Sequence, residues 1–180
     1  MNRKYLAAAT GAVAIAIGTG ILVPVLSGSA VAATDQTPPA PAAAARSLGT
    51  APYLTLTAAN KAVTLAMNDC AQKGYPVSVT IVDRDGAVVS QQRADTATGA
   101  TVDVSKEKAY AAAGFQVSTA DIQGFAKTQP GFVYIPGFSI LPGGVPIKGA
   151  GTVVAGIGVS GAPTGEIDAA CAAVGVATIS

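Results

Sequence analysis

The sequence predicts an α/β domain of the α+β type, in which an antiparallel sheet is flanked by helices. Two stretches alternate apolar and polar residues around a tight glycine turn, as is typical of antiparallel hairpins. Four other stretches predict helices, the first and last from apolar residues at helical spacing and the two between them from residues that start or cap a helix, and these helices must cover the sheet. The expected order is α-ββ-αα-βββ-α, with a five-stranded sheet.

The first predicted helix follows Thr57, whose hydroxyl can cap it, and it stops at Lys73 and Gly74. The next segment, VSVTIVDRDGAVVSQQR, predicts a β-hairpin that turns at Asp85 and Gly86. One stripe at helical spacing predicts the side of the helix that faces the core: Ala59, Val63, Ala66, Met67 and Cys70.

Two helices and a short strand are predicted after the hairpin. Asp103 or Ser105 opens the second helix, and Ser118 caps a short third helix that must end before Pro130. A stretch rich in glycine, proline and aromatic residues follows, and we expect a short strand over 138–141 within it.

The last part of the chain predicts two more strands and a final helix. Segments 145–148 and 152–160 form strands on either side of a turn at 149–151. The helix is expected over 165–177. Acidic residues in its first turn, Asp168 among them, complement the positive end of the helix dipole.

The chain begins with the pattern of an export signal. Residues 1–32 combine a basic start, an apolar run over 6–26 and the small-residue motif at 30–32, which predicts a signal peptide cleaved near Ala32 and a secreted protein. An uncleaved anchor is the alternative, because the run is about long enough to span a bilayer. Segment 33–52 is an Ala/Pro-rich disordered linker, and 53–180 is the folded domain.

The composition excludes several classes of function. Removing Arg3 and Lys4 with the signal peptide leaves nine basic and ten acidic residues, a net charge of −1, so we expect no nucleic-acid binding. The chain contains no histidine, which excludes Ser-His-Asp and Cys-His catalysis, histidine zinc sites and haem on a proximal histidine. Enzymatic activity is therefore disfavoured.

Two features of the sequence leave alternatives open or mislead. Cys70 and Cys171 either form a disulfide, as is common in exported proteins, or are free and buried among small residues.

GIGVSG, residues 156–161, has the spacing of a dinucleotide fingerprint, but no second strand with its acidic residue follows in the 19 residues up to Ser180. Gly156 and Gly158 instead predict a strand with one bare face.

The segment LPGGVPIKGAGTVVAGIGVSGAPTGEIDAACAAVG resembles the signature of the GlcG/HbpS family, the haem-degrading-like domain family. The likeness rests on the Gly-Gly-x-Pro turn at 143–146, the GIGVSG strand and the acidic helix start that follows. It extends to the hairpin and to the Lys-Ala pair at 108–109, and covers nearly all of 54–178. The export signal and linker make the chain look closest to the secreted, HbpS-like branch.

Membership in this family implies a PAS- or profilin-like sandwich and a homo-oligomer, with an octamer as one expected size. The bare strand face at Gly156 and Gly158 suits buried subunit contacts. The resemblance also implies haem or a related tetrapyrrole as cofactor and a membrane sensor kinase as partner. The chain departs from relatives linked to haem at Ala111, where they tend to carry threonine.

The resemblance and the missing histidine define the candidate site. We expect Lys108 to pair with a ligand carboxylate, and Tyr110 or Tyr134 to lie near the haem iron. The backbone at Gly143 and Gly144, before Pro146, would form an anion-binding nest. The alternatives are structural: a salt bridge or carbonyl contact for Lys108, packing for the tyrosines, and a tight turn for the glycines.

Three functions remain open from the sequence alone. The first is a secreted, oligomeric haem-binding accessory or sensor protein that modulates a sensor kinase. The second is an enzyme acting on a small molecule, which the lack of a convergent acid–base pair disfavours. The third is a non-catalytic interaction module whose ligand site has been lost.

Overall fold

The computed structural model describes residues 49–179, and the predicted signal peptide and most of the predicted linker lie outside this range. Besides a 3-10 helix at Pro130–Tyr134, the regular elements are α1 Leu56–Gln72, β1 Ser78–Asp83, β2 Val88–Arg93, α2 Ala100–Phe115, α3 Thr119–Ala126, β3 Gly144–Gly149, β4 Thr152–Ser160 and α4 Gly165–Val176. Among the helices of this range, none combines the length and the hydropathy needed to cross a bilayer.

The sheet has four strands in the order β2-β1-β4-β3, and every neighbouring pair is antiparallel. In the centre, β1 and β4 pair without a register shift, which places Ile81 opposite Ile157. Each edge strand has one register shift. The pairing of β2 with β1 shifts near Val82, and that of β3 with β4 shifts near Lys148. The α+β class and the antiparallel sheet between helices are therefore confirmed.

The expectation of five strands is wrong, because residues 138–141 do not join the described sheet. The ring of Phe138 packs on α2 instead, with its centroid 4.6 Å from that of Tyr110 and 5.2 Å from that of Phe115. The amide of Ser139 donates to the carbonyl of Glu107 on the same helix. These contacts hold the segment over the outer side of α2, away from a strand edge.

Two predicted helix starts are also wrong. Thr55, not Thr57, caps α1, and its hydroxyl accepts from the amide of Ala58. Helix α2 begins at Ala100, ahead of both Asp103 and Ser105, with no capping side chain. The sequence signal failed there because capping side chains are the pattern that predicts a helix start.

The cap of α3 agrees with the sequence prediction. Ser118 accepts from the amide of Asp121, and the helix ends at Ala126, well before Pro130.

One face of the sheet carries α1 and α4, and the apolar core lies between them and the strands. Cys70 of α1 and Cys171 of α4 form a disulfide, with Cα atoms 5.7 Å apart, so the bridged alternative is the one observed. Both cysteines are fully buried. Fully buried Val and Ile side chains fill the remaining space: Val63, Val79, Ile81, Ile157 and Val159.

The other face carries α2, which lies unusually close to the strands. A Cβ added to Gly158 would lie 2.0 Å from the carbonyl oxygen of Ser105, and one added to Gly156 would lie 2.2 Å from that of Ala109. Only glycine allows this approach. The bare strand face expected at a subunit contact is thus covered by a helix of the same chain. Segment 156–161 belongs to β4 and its end, as predicted.

Hydroxyl groups fix the register of α2 on the sheet. The hydroxyl groups of Ser78 and Thr101 form a hydrogen bond, with 2.7 Å between their oxygens, and those of Thr80 and Ser105 form another of the same length. Gln91 of the edge strand donates to the hydroxyl of Thr80. Because these groups pair with one another, a polar contact between helix and sheet is tolerated in the interior.

Candidate functional site

Helix α2 carries Tyr110 and Lys108, and it places them in two different clefts. The first cleft lies beside Tyr110, between α2 and the turn of the β1–β2 hairpin, and has a volume of about 450 Å³. Its lining comes from the hairpin turn, α2 and one loop glycine: Asp85, Gly86, Asp103, Lys106, Glu107, Tyr110 and Gly137.

The ring of Tyr110 is held in place from two sides. Gly86 adopts φ +88°, and a Cβ there would lie 2.5 Å from the Cε2 atom of Tyr110, so the hairpin turn needs a glycine under the ring. On its other side the ring meets Phe138 edge-on. Phe138 packs on Phe115, which packs on Phe132 at a centroid distance of 5.3 Å. These four rings make one aromatic cluster next to the cleft.

The charge of this cleft is negative overall. Asp85, Asp103 and Glu107 supply three carboxylates, whereas Lys106 supplies a single ammonium group. Across the described residues no three His, Cys, Asp or Glu side chains are grouped closely enough to hold a metal ion. The cleft therefore favours a ligand with positive charge at its centre over a free anion.

Lys108 forms a buried ion pair in the second cleft. Its Nζ atom lies 2.8 Å from Oδ2 of Asp168 and 2.9 Å from the carbonyl oxygen of Val159, to both of which it donates. The exposed fractions of the two paired side chains are only 3% and 4%. These contacts are those of the structural alternative for Lys108, a salt bridge combined with a carbonyl contact.

Asp168 accepts further hydrogen bonds from the loop before α4. Its Oδ1 atom accepts from the amide of Ala162 at 3.0 Å. Burial raises the pKa of the Asp168 carboxyl above its ordinary value of 3.8, while Lys108 and the amides of Ala162 and Gly161 act in the opposite direction. Burial is the larger effect, so the charged pair is held against a desolvation cost.

The second cleft has a volume of about 300 Å³ and opens where α2, the end of β4 and the start of α4 meet. Its floor is the Lys108–Asp168 pair. Mostly small and apolar groups line the remainder: Val104, Leu141, Pro142, Ser160, Gly161, Ala162, Pro163, Thr164 and Gly165.

Gly143 and Gly144 lie against Lys108. A Cβ on Gly143, which has φ +130°, would lie 2.8 Å from Nζ of Lys108, and one on Gly144 would lie 2.4 Å from the Lys108 carbonyl oxygen. The amide of Gly144 donates to the hydroxyl of Thr119 at 2.9 Å, so this amide already has a partner. Pro146 is half-buried in β3 and pairs with Gly156.

The predicted site residues are therefore only partly together. The structure brings Lys108, Gly143 and Gly144 into contact, but Tyr110 lines the other cleft. Tyr134 lies on the 3-10 helix and is 82% exposed.

Sequence reasoning misses two important partners. The sequence pattern presents Asp168 only as a first-turn acid, and no local signal pairs it with Lys108, which lies 60 residues earlier in the chain. Phe138, which holds Tyr110, falls in the segment that the pattern assigns to a strand.

The structure is a small α+β sandwich domain, in which a four-stranded antiparallel sheet carries helices on both faces. Two clefts lie beside helix α2. Residues 54–177 match the family model described as haem degrading protein HbpS-like. No curated protein matches the chain. Since the family match spans more than half of the sequence, the chain belongs to the HbpS-like family, as the sequence predicts.

Solved structures agree with this assignment. A crystal structure of HbpS is 35% identical, with a TM-score of 0.72, and the match covers 74% of this chain and 94% of that chain. A double mutant of Streptomyces reticuli HbpS is 31% identical with a TM-score of 0.73, covering 89% and 99%. A PduOC:haem complex, 21% identical with a TM-score of 0.64 and covering 70% and 94%, shares the fold.

Proposed function

We propose that this protein binds haem or a related tetrapyrrole and acts as an exported accessory protein rather than as an enzyme. The observation that carries the proposal is the Tyr110 cleft, in a chain that belongs to a family described as haem-degrading. The haem complex of PduOC, which has the same fold, supports the choice of ligand.

The residues of the Tyr110 cleft fit a haem group in three respects. A tyrosine oxygen is an established ligand of haem iron, and Tyr110 lines the cleft. The aromatic cluster beside it offers an apolar wall for a porphyrin ring. Lys106 would hold a propionate, while the three carboxylates favour the positively charged iron and disfavour a propionate at their own positions.

When bound, haem would supply a redox-active iron. The chain's own contribution is to position and shield it. Gly86 and Phe138 fix the Tyr110 ring, so the phenol oxygen needs no reorganisation on binding. Lys108 is engaged by Asp168 in the other cleft, and we therefore assign it to the scaffold that holds α2 and α4 together.

A haemin titration tests the proposal. We expect saturable binding near one haem per chain, seen in the Soret band. Tyr110→Phe removes the oxygen and keeps the ring, so it should weaken binding by about tenfold or more and alter the spectrum. Tyr53→Phe, at a tyrosine 80% exposed outside the cleft, is the matched control.

Tyr134→Phe distinguishes the second candidate ligand. If Tyr134→Phe, and not Tyr110→Phe, changes the Soret band, then the exposed 3-10 helix binds the iron and the cleft assignment is wrong. The absence of any saturable shift in the unmodified protein would refute haem as the ligand.

A non-catalytic interaction module is the second candidate function. It is favoured by Ala111, which is fully buried at the position where relatives linked to haem tend to carry a hydroxyl, and by the internal pairing of Lys108. A colourless protein that self-associates tightly but does not bind haemin would support this function.

We further propose that the protein is exported, self-associates and modulates a membrane sensor kinase. The signal-peptide pattern of residues 1–32 supports export, and so does the Cys70–Cys171 disulfide, because disulfides persist in oxidising compartments. Family resemblance supports self-association and the kinase partner.

Export makes a direct prediction about the mature protein. Its intact mass should correspond to a chain that begins at or near Ala33, after cleavage near Ala32. A mass that includes residues 1–32 in the membrane fraction would instead indicate an uncleaved anchor.

A further inference from the structure

We infer that residues 125–141, here called the apolar surface segment, form the surface through which a second copy of this chain docks. The inference deepens the proposed self-association and rests on it. The segment runs from the end of α3 through the 3-10 helix to the loop before β3.

Exposed apolar side chains are concentrated in this segment. Among the described residues, eight large hydrophobic side chains are exposed, and four of them fall in these 17 positions. Their exposed fractions run from 51% to 82%: Phe125, Val133, Tyr134 and Leu141. Successive backbone hydrogen bonds link the turns from Phe125 to Phe138. Exposed apolar patches of this kind mark interaction sites in soluble proteins.

The segment is nearly free of charge. Lys127, near its start, is its single charged residue, and no Asp, Glu, Lys or Arg occurs in the 20 residues between Lys127 and Lys148. In a two-fold interface the same patch faces itself, so a charged patch would oppose like charges. A patch with so little charge avoids most of that repulsion, which favours a second copy over a partner selected by opposite charge.

The conformation of the segment is already fixed by contacts between its inner side and helix α2. Phe132 and Phe138 belong to the aromatic cluster next to α2, and prolines at 130 and 136 restrict the backbone of the segment. Docking would therefore order few additional side chains, which keeps the entropy cost of association low. Tyrosine and phenylalanine are also enriched at the cores of protein interfaces.

Sedimentation velocity of the purified protein over a range of concentrations tests the inference. We expect the unmodified protein to sediment as a dimer or a larger assembly. Val133→Lys and Tyr134→Lys should shift it to single chains, or weaken self-association by about 30-fold or more. Val88→Lys is the matched control, because Val88 is 46% exposed, close to the 51% of Val133, and lies on β2.

Circular dichroism melting of each variant verifies the fold, and the exposure of the substituted side chains predicts unchanged melting. The inference is overturned if the unmodified protein sediments as single chains at every concentration, or if Val88→Lys dissociates the assembly as strongly as the segment variants do. An assembly that stays intact in both segment variants would also overturn the assigned surface, while leaving self-association itself in place. Monomeric protein that co-sediments with phosphatidylcholine–phosphatidylglycerol vesicles in a Val133-dependent manner would assign the segment to a membrane and also overturn it.

The self-association result is independent of the haem proposal. Haemin titration of Val133→Lys measures ligand binding in a single chain, whereas sedimentation without haemin measures docking alone. Failure of either measurement in the unmodified protein leaves the other result intact.

Discussion

At the scale of single residues, the Lys108–Asp168 pair links the middle of the chain to its last helix. The two charges are nearly inaccessible, and burial raises the pKa of Asp168 despite the nearby ammonium. Removing one member of such a pair is costly, because the other charge stays buried without compensation.

Lys108→Met tests this coupling through its pH dependence. Without Lys108, the pKa of Asp168 in the folded state should rise further above 3.8. The variant therefore loses stability as the pH rises from 3.8 through this folded-state pKa. We expect little loss relative to the unmodified protein at pH values below 3.8, and about 3–5 kcal/mol near neutral pH.

Urea unfolding at several pH values measures the effect. Adding Asp168→Asn to Lys108→Met removes the stranded carboxylate and should recover most of the loss. A pH-independent loss in the single variant would contradict the assigned coupling.

Gly158 tests the close contact between α2 and β4. In Gly158→Ala the new Cβ would lie 2.0 Å from one backbone atom of α2 and 2.6 Å from another, so the helix must move away from the sheet. We expect a loss of about 3 kcal/mol or more in the free energy of unfolding, at the upper end of overpacking effects.

Gly124→Ala is the matched control for Gly158→Ala, because a Cβ at this position in α3 meets nothing within 4 Å. It should leave stability unchanged or raise it by up to about 1 kcal/mol. Equal destabilisation by the two substitutions in urea melts would argue against a specific helix–sheet contact.

At the scale of elements, local signals determine what the sequence can predict. Strand β4 has the predicted bounds, 152–160, because its alternating residues and flanking glycines are local features. The start of α2 escapes prediction because Gly99 and Ala100 give no capping signal. Residues 138–141 imitate a strand, but the position of Phe138 is decided by rings on α2, distant in sequence.

The same limit applies to the candidate site. Lys108 and Tyr110 can be selected from the sequence, but two residues apart on one helix they point into different clefts. The partner of Lys108 is 60 residues away, and no local pattern connects the two. Contacts of this kind become visible only once the positions of α2 and α4 on the two faces of the sheet are known.

At the scale of the whole molecule, the disulfide joins the first and last helices of the described domain. Its cysteines are 101 residues apart in sequence, so it restricts the unfolded chain strongly. Replacing both, as Cys70→Ala with Cys171→Ala, should lower the free energy of unfolding by about 2–5 kcal/mol.

Thermal and urea unfolding of this double variant measure that cost, and the unmodified protein with intact disulfide is the reference. Because both cysteines are fully buried, the native protein should resist alkylation until it is reduced under unfolding conditions. Two alkyl groups on unreduced native protein would contradict the bridge.

The bridge also determines how the domain responds to mechanical force. A pull on the two ends of the described chain passes through residues 49–70, crosses the Cys70–Cys171 bond, and leaves through residues 171–179. The strands, α2 and both clefts lie mainly inside the closed covalent loop, so tension does not stretch the backbone of the sheet. Tension applied at the ends of the described domain therefore leaves the shape of the site around Tyr110 unchanged.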